Sequence, residues 1–255
     1  MTWPFENDTS GIVKRISNRS ISANRKRNIF IVLTIALASA LLSAIVLYGF
    51  GVMQETQNRN QKTAQIMYHA ISEQQGQELY KQEEIAWIGE FFNAFSEQVN
   101  HSTVNFTYAN ADMLTSQSMP YSGDLPASEN EIVVQESFLD SLGYSNELGQ
   151  TIQIPFSDGT THDFKLTGIL DVKTGDIGRY TAIISKELVR QQYGDEGMID
   201  YYIGLKGAQN MSEEEATNYA NTLAQQLEIS DDNVIVRSTY FNLKDENHGS
   251  DMLFY

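Results

Sequence analysis

Residues 29–53 read IFIVLTIALASALLSAIVLYGFGVM and contain no charged side chain. An α-helix needs about 20 apolar residues to cross the hydrocarbon core of a bilayer, and this run has 25. We therefore predict a single membrane-spanning helix here. Two other interpretations stay open, a secretory signal cleaved near Ala38–Ala40 and a helix in a protein core. The continuation of the apolar run to Met53 disfavours the first, and the adjacent basic cluster disfavours the second.

The charges on the two sides of the apolar run differ in sign. Residues 1–28 contain six Lys/Arg and two Asp/Glu, whereas residues 54–255 contain 11 Lys/Arg and 31 Asp/Glu. Basic segments stay on the cytoplasmic side of a membrane helix. The sequence therefore predicts an anchor in the plasma membrane, with residues 1–28 in the cytoplasm and an extracytoplasmic domain over residues 54–255. The polar residues 54–64 are expected to extend the helix as a stalk.

The basic segment has a pattern of its own. If residues 11–28 are helical, Ile12, Val13 and Ile16 share one face, and basic side chains lie within reach of lipid head groups. We predict contact with the membrane surface, and a floppy basic tail is the alternative. The residues predicted to make this contact are Ile12, Lys14, Arg15, Ile16, Arg19, Arg25, Lys26 and Arg27.

The composition of residues 54–255 excludes several partners and sites. The counts above give this segment a net charge of −20, which would repel nucleic acid and anionic membranes, so no nucleic-acid partner is expected. The chain has no cysteine, which excludes disulfides and thiolate zinc sites. The acidic surface keeps the domain soluble, and attraction of a cationic ligand is a second interpretation of it.

Hydrophobic periodicity and turn residues predict an α+β domain after the membrane helix. Alternation of apolar and polar residues indicates strands, and capping residues followed by apolar stripes indicate short helices. Because hairpins are mixed with the helices, we expect a mixed, mainly antiparallel sheet. Strands are predicted at 64–71, 85–95, 102–111, 131–134, 152–156, 164–166, 181–185, 200–207 and 233–238, and helices at 72–82, 135–144, 186–193 and 210–227.

Three short segments contain side chains that could perform chemistry. Glu131 lies where a loop enters a strand, but no partner for acid–base catalysis is recognisable nearby, and a role in the turn explains it better. DGTTHD (158–163) and KDENHGSD (244–251) could each hold a cation, yet neither has an EF-hand or HExxH pattern. They are better explained as a hairpin tip and a solvated loop. We predict no catalytic residue, no cofactor and no metal site.

Four stretches resemble the FtsX-like permease family in that family's order. They are NRKRNIFIVLTIALASALLSAIVL (24–47), GDLPASENEIVV (123–134), LDSLGYSNELGQTIQI (139–154) and FKLTGIL (164–170). The first is similar to the family's first membrane helix. The others are similar to its MacB-like extracytoplasmic core domain, particularly in Gram-positive peptide-export permeases. On this resemblance Glu131 belongs to a fold signature.

The resemblance implies a permease subunit of an ABC-type exporter or mechanotransmission complex, without enzymatic activity of its own. A separate cytoplasmic ATPase and a second permease copy or paralogue would be its partners, and a peptide, toxin, lipid or antimicrobial compound its cargo. The basic-segment residues named above would then contact either the membrane surface or that ATPase. The family has four membrane helices and one is predicted here, so we expect the N-terminal portion of a permease. A single-pass anchored binding or structural protein is the alternative. An anchored hydrolase would need a convergent polar pocket that the sequence does not indicate.

Overall fold

The computed structural model describes residues 9–172, 178–194 and 199–241. The chain divides into two compact units at Gln57/Asn58. The predicted loop at 244–251 lies outside the described residues.

The first unit is built from two helices, α1 (Ser10–Ala23) and α2 (Arg25–Lys62). With 38 residues, α2 is about 57 Å long. Its apolar part, Arg25–Val52, is long and apolar enough to cross a membrane, and its most apolar window is fully exposed. The hydroxyls of Thr34 and Ser39 donate to the carbonyls of Phe30 and Ile35 one turn earlier, so neither hydroxyl needs water. The predicted extension of the helix beyond Met53 is confirmed as far as Lys62.

The second unit is a mixed sheet with short helices. Its helices are α3 (Glu73–Leu79), α4 (Ala111–Ser116), α5 (Glu136–Leu142), α6 (Lys186–Tyr193) and α7 (Glu213–Gln226), with 3₁₀ turns at Ala208–Asn210 and Asp231–Asn233. Its strands are β1 (Ile66–Ile71), β2 (Ile85–Val99), β3 (Ser102–Ala109), β4 (Tyr121–Gly123), β5 (Glu131–Gln135), β6 (Thr151–Pro155), β7 (Thr161–Leu170), β8 (Arg179–Ile184), β9 (Ile199–Leu205) and β10 (Val234–Val236).

The ten strands form one sheet in the order β10-β1-β9-β2-β3-β8-β5-β7-β4, with β6 paired to β7. Only β3–β8 and β5–β7 are parallel among the described pairs, and the others are antiparallel. The predicted mixed, mainly antiparallel α+β fold is therefore confirmed.

Three apolar clusters pack against this sheet. The first joins β1, β2 and β9 to α3 and α7. The second joins β3 and β5–β8 to α5 and α6. Because strand side chains alternate between faces, Ile132 and Ile184 belong to the second cluster whereas Val133 and Ile183 belong to the third, which packs under α4.

Every strand and helix predicted in the second unit is present, with two additions and several changed boundaries. The additions are α4 and the short edge strand β4, which the sequence does not predict. Strand β2 ends at Val99, four residues beyond its predicted end at residue 95. The third strand stops at Ala109 rather than 111 because Asn110 caps α4, accepting a hydrogen bond from the backbone N–H of Met113 at 2.9 Å. Local capping competes with strand pairing at such residues.

Candidate functional site

The predicted contact residues of the basic segment lie on two helices. Ile12 and Ile16 are one turn apart on α1 and are 61% and 65% exposed. Lys14, Arg15 and Arg19 are exposed on the same helix, while Arg25–Arg27 begin α2. The helical form required for a shared apolar face is therefore present. Contact with lipid or with an ATPase stays a prediction.

Glu131 holds the loop that precedes β5. Its Oε2 accepts hydrogen bonds from the backbone N–H groups of Ala127 and Ser128 at 3.0 and 3.2 Å. Its Oε1 lies 3.2 Å from Nζ of Lys165 on β7. The two backbone donors, helped by Lys165, lower the pKa of Glu131, since each favours the charged form. The carboxylate is thus occupied in fastening the turn, as the sequence indicated.

The DGTTHD tip is also internally bonded. Oδ1 of Asp158 accepts hydrogen bonds from the backbone N–H and the hydroxyl of Thr160 at 2.8 and 2.6 Å, and these bonds lower the pKa of Asp158. His162 stacks on Phe156 with ring centroids 4.2 Å apart. Among the described residues no group of His and acidic side chains is arranged to hold a metal ion.

A partly buried group of charges, which the sequence did not predict, lies between α3, α6 and the centre of the sheet. Its centre is Glu90 on β2, whose side chain is only 6% exposed. Nζ of Lys186, at the start of α6, lies 2.9 Å from Oε2 of Glu90 and 3.4 Å from Oε1 of Glu73. Arg190, one turn later on α6, also pairs with Glu73. We call this set, with the two tyrosines described next, the Glu90 cluster.

Two phenols complete the hydrogen bonding of Glu90. The hydroxyl of Tyr80 donates to its Oε1, and that of Tyr108 donates to its Oε2, each at 2.7 Å. Burial and the adjacent carboxylate raise the pKa of both tyrosines, so both stay protonated donors. Both oxygens of Glu90 are therefore engaged, and the arrangement suits a structural fastening rather than a general base.

Local sequence features place each member of the cluster. A capping box of Ser72 and Gln75 starts α3 next to Glu73, and Ser185 caps α6 next to Lys186. The backbone of Glu90 is fixed by Asn110, whose Oδ1 accepts from its N–H at 3.0 Å. A signal was present in the sequence: Glu90 is the one charge within the strand IAWIGEFFNAF.

Burial alone would raise the pKa of Glu73. The hydrogen bond from Arg190 and the positive charge of Lys186 outweigh this effect, so the pKa of Glu73 is lowered. The two basic side chains thus favour the ionised form of Glu73. In a buried pair such as Glu90–Lys186, removal of one partner destabilises the structure more than the intact pair stabilises it. The pairs with Glu73 are more exposed. Together the pairs fix α6 against α3 and β2 in one arrangement.

Comparison with known proteins identifies the family of the chain. Residues 29–236 match the MacB-like periplasmic core domain. The periplasmic region of MacB from Actinobacillus actinomycetemcomitans is 13% identical, with 71% of this chain and 92% of that chain covered and a TM-score of 0.49. The extracellular domain of the noncanonic ABC-type transporter YknZ from Gram-positive bacteria is 10% identical, with 68% and 98% covered and a TM-score of 0.48.

A domain of a putative permease protein from Porphyromonas gingivalis is 10% identical, with 66% of this chain and 79% of that chain covered and a TM-score of 0.44. No curated protein matches the chain. The family match runs from the apolar part of α2 to the end of β10, and it confirms the resemblance found in the sequence. The chain belongs to the family of MacB-like periplasmic core domains, a part of ABC transporter permeases.

Proposed function

We propose that the chain is a permease subunit, or the N-terminal part of one, in an ABC-type export or mechanotransmission complex. Residues 1–28 lie in the cytoplasm, residues 29–53 span the plasma membrane and residues 54–255 form the extracytoplasmic domain. The observation that carries this proposal is the family match over residues 29–236, which includes the apolar helix as well as the sheet. The basic flank of the helix supports the orientation.

The α1 helix and the start of α2 form the cytoplasmic contact surface in this proposal. The exposed Ile12 and Ile16 enter the head-group region, and the neighbouring basic side chains face lipid phosphates or the ATPase. ATP hydrolysis belongs to that separate subunit, and a second permease copy or a paralogue completes the complex. The net charge of −20 outside the membrane favours cationic cargo, such as a basic peptide or another antimicrobial compound.

The Glu90 cluster supports a mechanical role for the outer domain. Along the chain, α2 leads directly into β1 and α3, and Glu73 on α3 pairs with Lys186 and Arg190 on α6. The first apolar cluster contains Leu79 of α3, and the second contains Leu188 of α6. A displacement of β1 and α3 would therefore carry α6 and the second cluster with it.

The orientation is tested by labelling single cysteines, because the natural chain contains none. Ser17 on α1 and Asn221 on α7 are both exposed and are changed one at a time to cysteine. In intact cells, a membrane-impermeant maleimide should label Asn221→Cys and spare Ser17→Cys until the membrane is opened. Labelling of Ser17→Cys in intact cells, or sparing of Asn221→Cys, would overturn the orientation.

The ATPase partner is tested by photocrosslinking in the native membrane. A photoreactive amino acid replaces Ser17 in one strain and Asn221 in a matched control strain, and crosslinked products are identified by mass spectrometry. We expect an ABC ATPase on Ser17 and not on Asn221. Crosslinks from Ser17 to lipid alone, with no ATPase co-purifying with the full chain, would favour the single-pass anchored binding or structural protein.

A further inference from the structure

A cavity of about 220 Å³ lies on the face of the sheet next to α4. It combines an apolar floor with hydrogen-bonding side chains, and none of the described residues that line it is charged, although its unit is strongly acidic. The lining residues are Phe91, Asn93, Asn105, Thr107, Ala109, Leu114, Gln117, Met119, Thr181 and Ile183.

Strand register brings the polar members of this cavity together. Asn93 on β2 pairs with Thr107 on β3, and Asn105 on β3 pairs with Thr181 on β8. Since side chains alternate along a strand, Asn105 and Thr107 share one face of β3, while Phe106 between them is buried in the second apolar cluster. Two amides and two hydroxyls are thus presented by three adjacent strands.

These groups have hydrogen-bonding capacity that the described part of the chain leaves unused. Thr107 is only 6% exposed, yet no described residue bonds to its hydroxyl. The same holds for the side chains of Asn93 and Thr181. Asn105 uses its Oδ1 to accept from the hydroxyl of Ser96 at 2.7 Å, which leaves its Nδ2 to donate. The hydroxyl of Thr107 opens into the cavity, where it can both donate to and accept from a ligand.

Behind Thr181 lies the side-chain amide of Gln135, which is buried. Oε1 of Gln135 accepts from the backbone N–H of Thr181 at 3.3 Å. Gln135 is 1% exposed, and its Nε2 has no hydrogen-bond partner among the described residues. Of the polar lining residues, Thr107 is buried and Asn105 and Thr181 are half-buried, whereas Asn93 is exposed.

The lining selects the chemistry of its ligand. A charged group would lose its hydration here without meeting an opposite charge. Amides and hydroxyls both donate and accept, which matches the hydroxyls of a sugar, and Phe91 and Met119 offer apolar surface to the C–H face of a sugar ring. The volume lies below the roughly 300–1,000 Å³ of sites for drug-sized ligands, so it suits a single ring.

We propose that this cavity binds one ring of a neutral carbohydrate, with Thr107, Asn93, Asn105 and Thr181 as the hydrogen-bonding groups. The ring belongs either to a glycan strand or to the head group of a glycolipid. Exposure to such molecules rests on the proposed extracytoplasmic position of residues 54–255, but the binding itself requires neither an ATPase nor transport.

The test uses the full chain in lipid nanodiscs and saturation-transfer NMR. The soluble probes are glucose, N-acetylglucosamine and chitotetraose, with glucosamine and glucuronic acid as cationic and anionic controls. For the lipid source, diglucosyl-diacylglycerol is placed in the nanodisc and displacement of a bound sugar is measured. We expect saturation of at least one neutral probe and little of the charged ones. Absence of transfer to every neutral probe, together with no displacement by the glycolipid, overturns the proposal.

A matched pair of variants locates the binding. Thr107→Val removes the buried hydroxyl at nearly constant volume. Thr103→Val makes the same change on the same face of β3, where the hydroxyl already accepts from Gln98 at 2.7 Å and does not line the cavity. We expect Thr107→Val to weaken binding about five- to tenfold without lowering Tm, and Thr103→Val to change affinity less than twofold. Equal effects of the two variants, or none from Thr107→Val, overturn the assignment.

Discussion

At the scale of single residues, the carboxylate of Glu131 fastens a loop, and this role has a consequence for acid stability. Its folded-state pKa is lowered by the N–H groups of Ala127 and Ser128, whereas the pKa of an unfolded Glu is about 4.3. The stabilisation is therefore fully present above about pH 4.3. It is lost as the pH falls through the lower, folded-state pKa.

We expect Glu131→Gln to reduce the free energy of unfolding at pH 7 by about 1–2 kcal/mol, because charge-assisted hydrogen bonds are lost. At pH 3, which is below the pKa of an unfolded Glu, the difference from wild type should shrink, because the stabilisation is lost as the pH falls towards the lowered pKa of the folded state. Denaturant unfolding of the detergent-solubilised chain at both pH values measures this, with the exposed Glu129→Gln as control. An equal effect at the two pH values would contradict the assignment.

Gly76 lies in α3, where alanine would ordinarily raise stability by about 1 kcal/mol. Here a Cβ would lie 2.2 Å from Cζ of the buried Tyr201. Overpacking of this kind typically costs about 1–3 kcal/mol, so we expect Gly76→Ala to lower Tm. The exposed Gln77→Ala in the same helix is the control and should be neutral or slightly stabilising. If Gly76→Ala raised Tm as well, the close packing of Tyr201 on α3 would be refuted.

At the scale of secondary structure, the Glu90 cluster joins α6 to α3 and β2. Lys186→Met should reduce the free energy of unfolding by about 3 kcal/mol, because it leaves the buried carboxylate of Glu90 without its cation. Adding Glu90→Gln should restore about 1–2 kcal/mol, since the stranded charge is then gone. Denaturant unfolding of the two variants and wild type gives both values.

Lys81→Met is the matched control for this prediction. Lys81 pairs with Glu78 three residues earlier, and the two side chains are 66% and 41% exposed. Lys81→Met should therefore lower the free energy of unfolding by less than about 1 kcal/mol. If Lys186→Met were as mild as Lys81→Met, the cluster would be a surface feature and could not couple α3 to α6.

The helices and strands could be predicted where their signals are local. The sequence predicts an N-cap at Ser72 and a capping box of Ser212 and Glu215, and both are present at the starts of α3 and α7. The turn between β2 and β3 has positive φ at Asn100 and His101, 48° and 68°. Such turns favour glycine, so the sequence lacked the usual signal and the register of β2 against β3 was not predicted.

The candidate sites depend on pairings that are distant in sequence. Glu73, Glu90 and Lys186 meet only because the sheet order puts β2 beside β3 and β3 beside β8, which leads into α6. The sugar cavity likewise needs the β2–β3 and β3–β8 registers. In the sequence, Asn105 and Thr107 look like the solvent-exposed half of an alternating strand. Only the sheet shows that Thr107 is buried.

At the scale of the whole molecule, the two units differ in whether their apolar side chains are exposed or buried. In the described part of α2, the apolar side chains from Ile29 to Val52 are exposed, whereas the second unit encloses its apolar clusters. Exposed apolar surface of this extent requires lipid or detergent. The proposed domain boundaries therefore predict that the second unit is soluble by itself.

We expect residues 58–255, produced without the preceding helices, to be soluble and to melt cooperatively within a few degrees of the full chain in detergent.

Gln65 determines how far the N-terminus of such a fragment can be shortened. Its Oε1 accepts from the backbone N–H of Leu205 at 2.7 Å, and its own backbone N–H donates to the carbonyl of Ile203 at 2.9 Å. A fragment that starts at Met67 loses both bonds and the buried Ile66, and should melt several degrees lower, since losing buried contacts costs about 2–5 kcal/mol. Near-UV circular dichroism and thermal melting distinguish these outcomes. Aggregation of residues 58–255 would show that the sheet needs the helices to fold, and equal melting of the two fragments would show that Gln65 does not anchor β1 to β9.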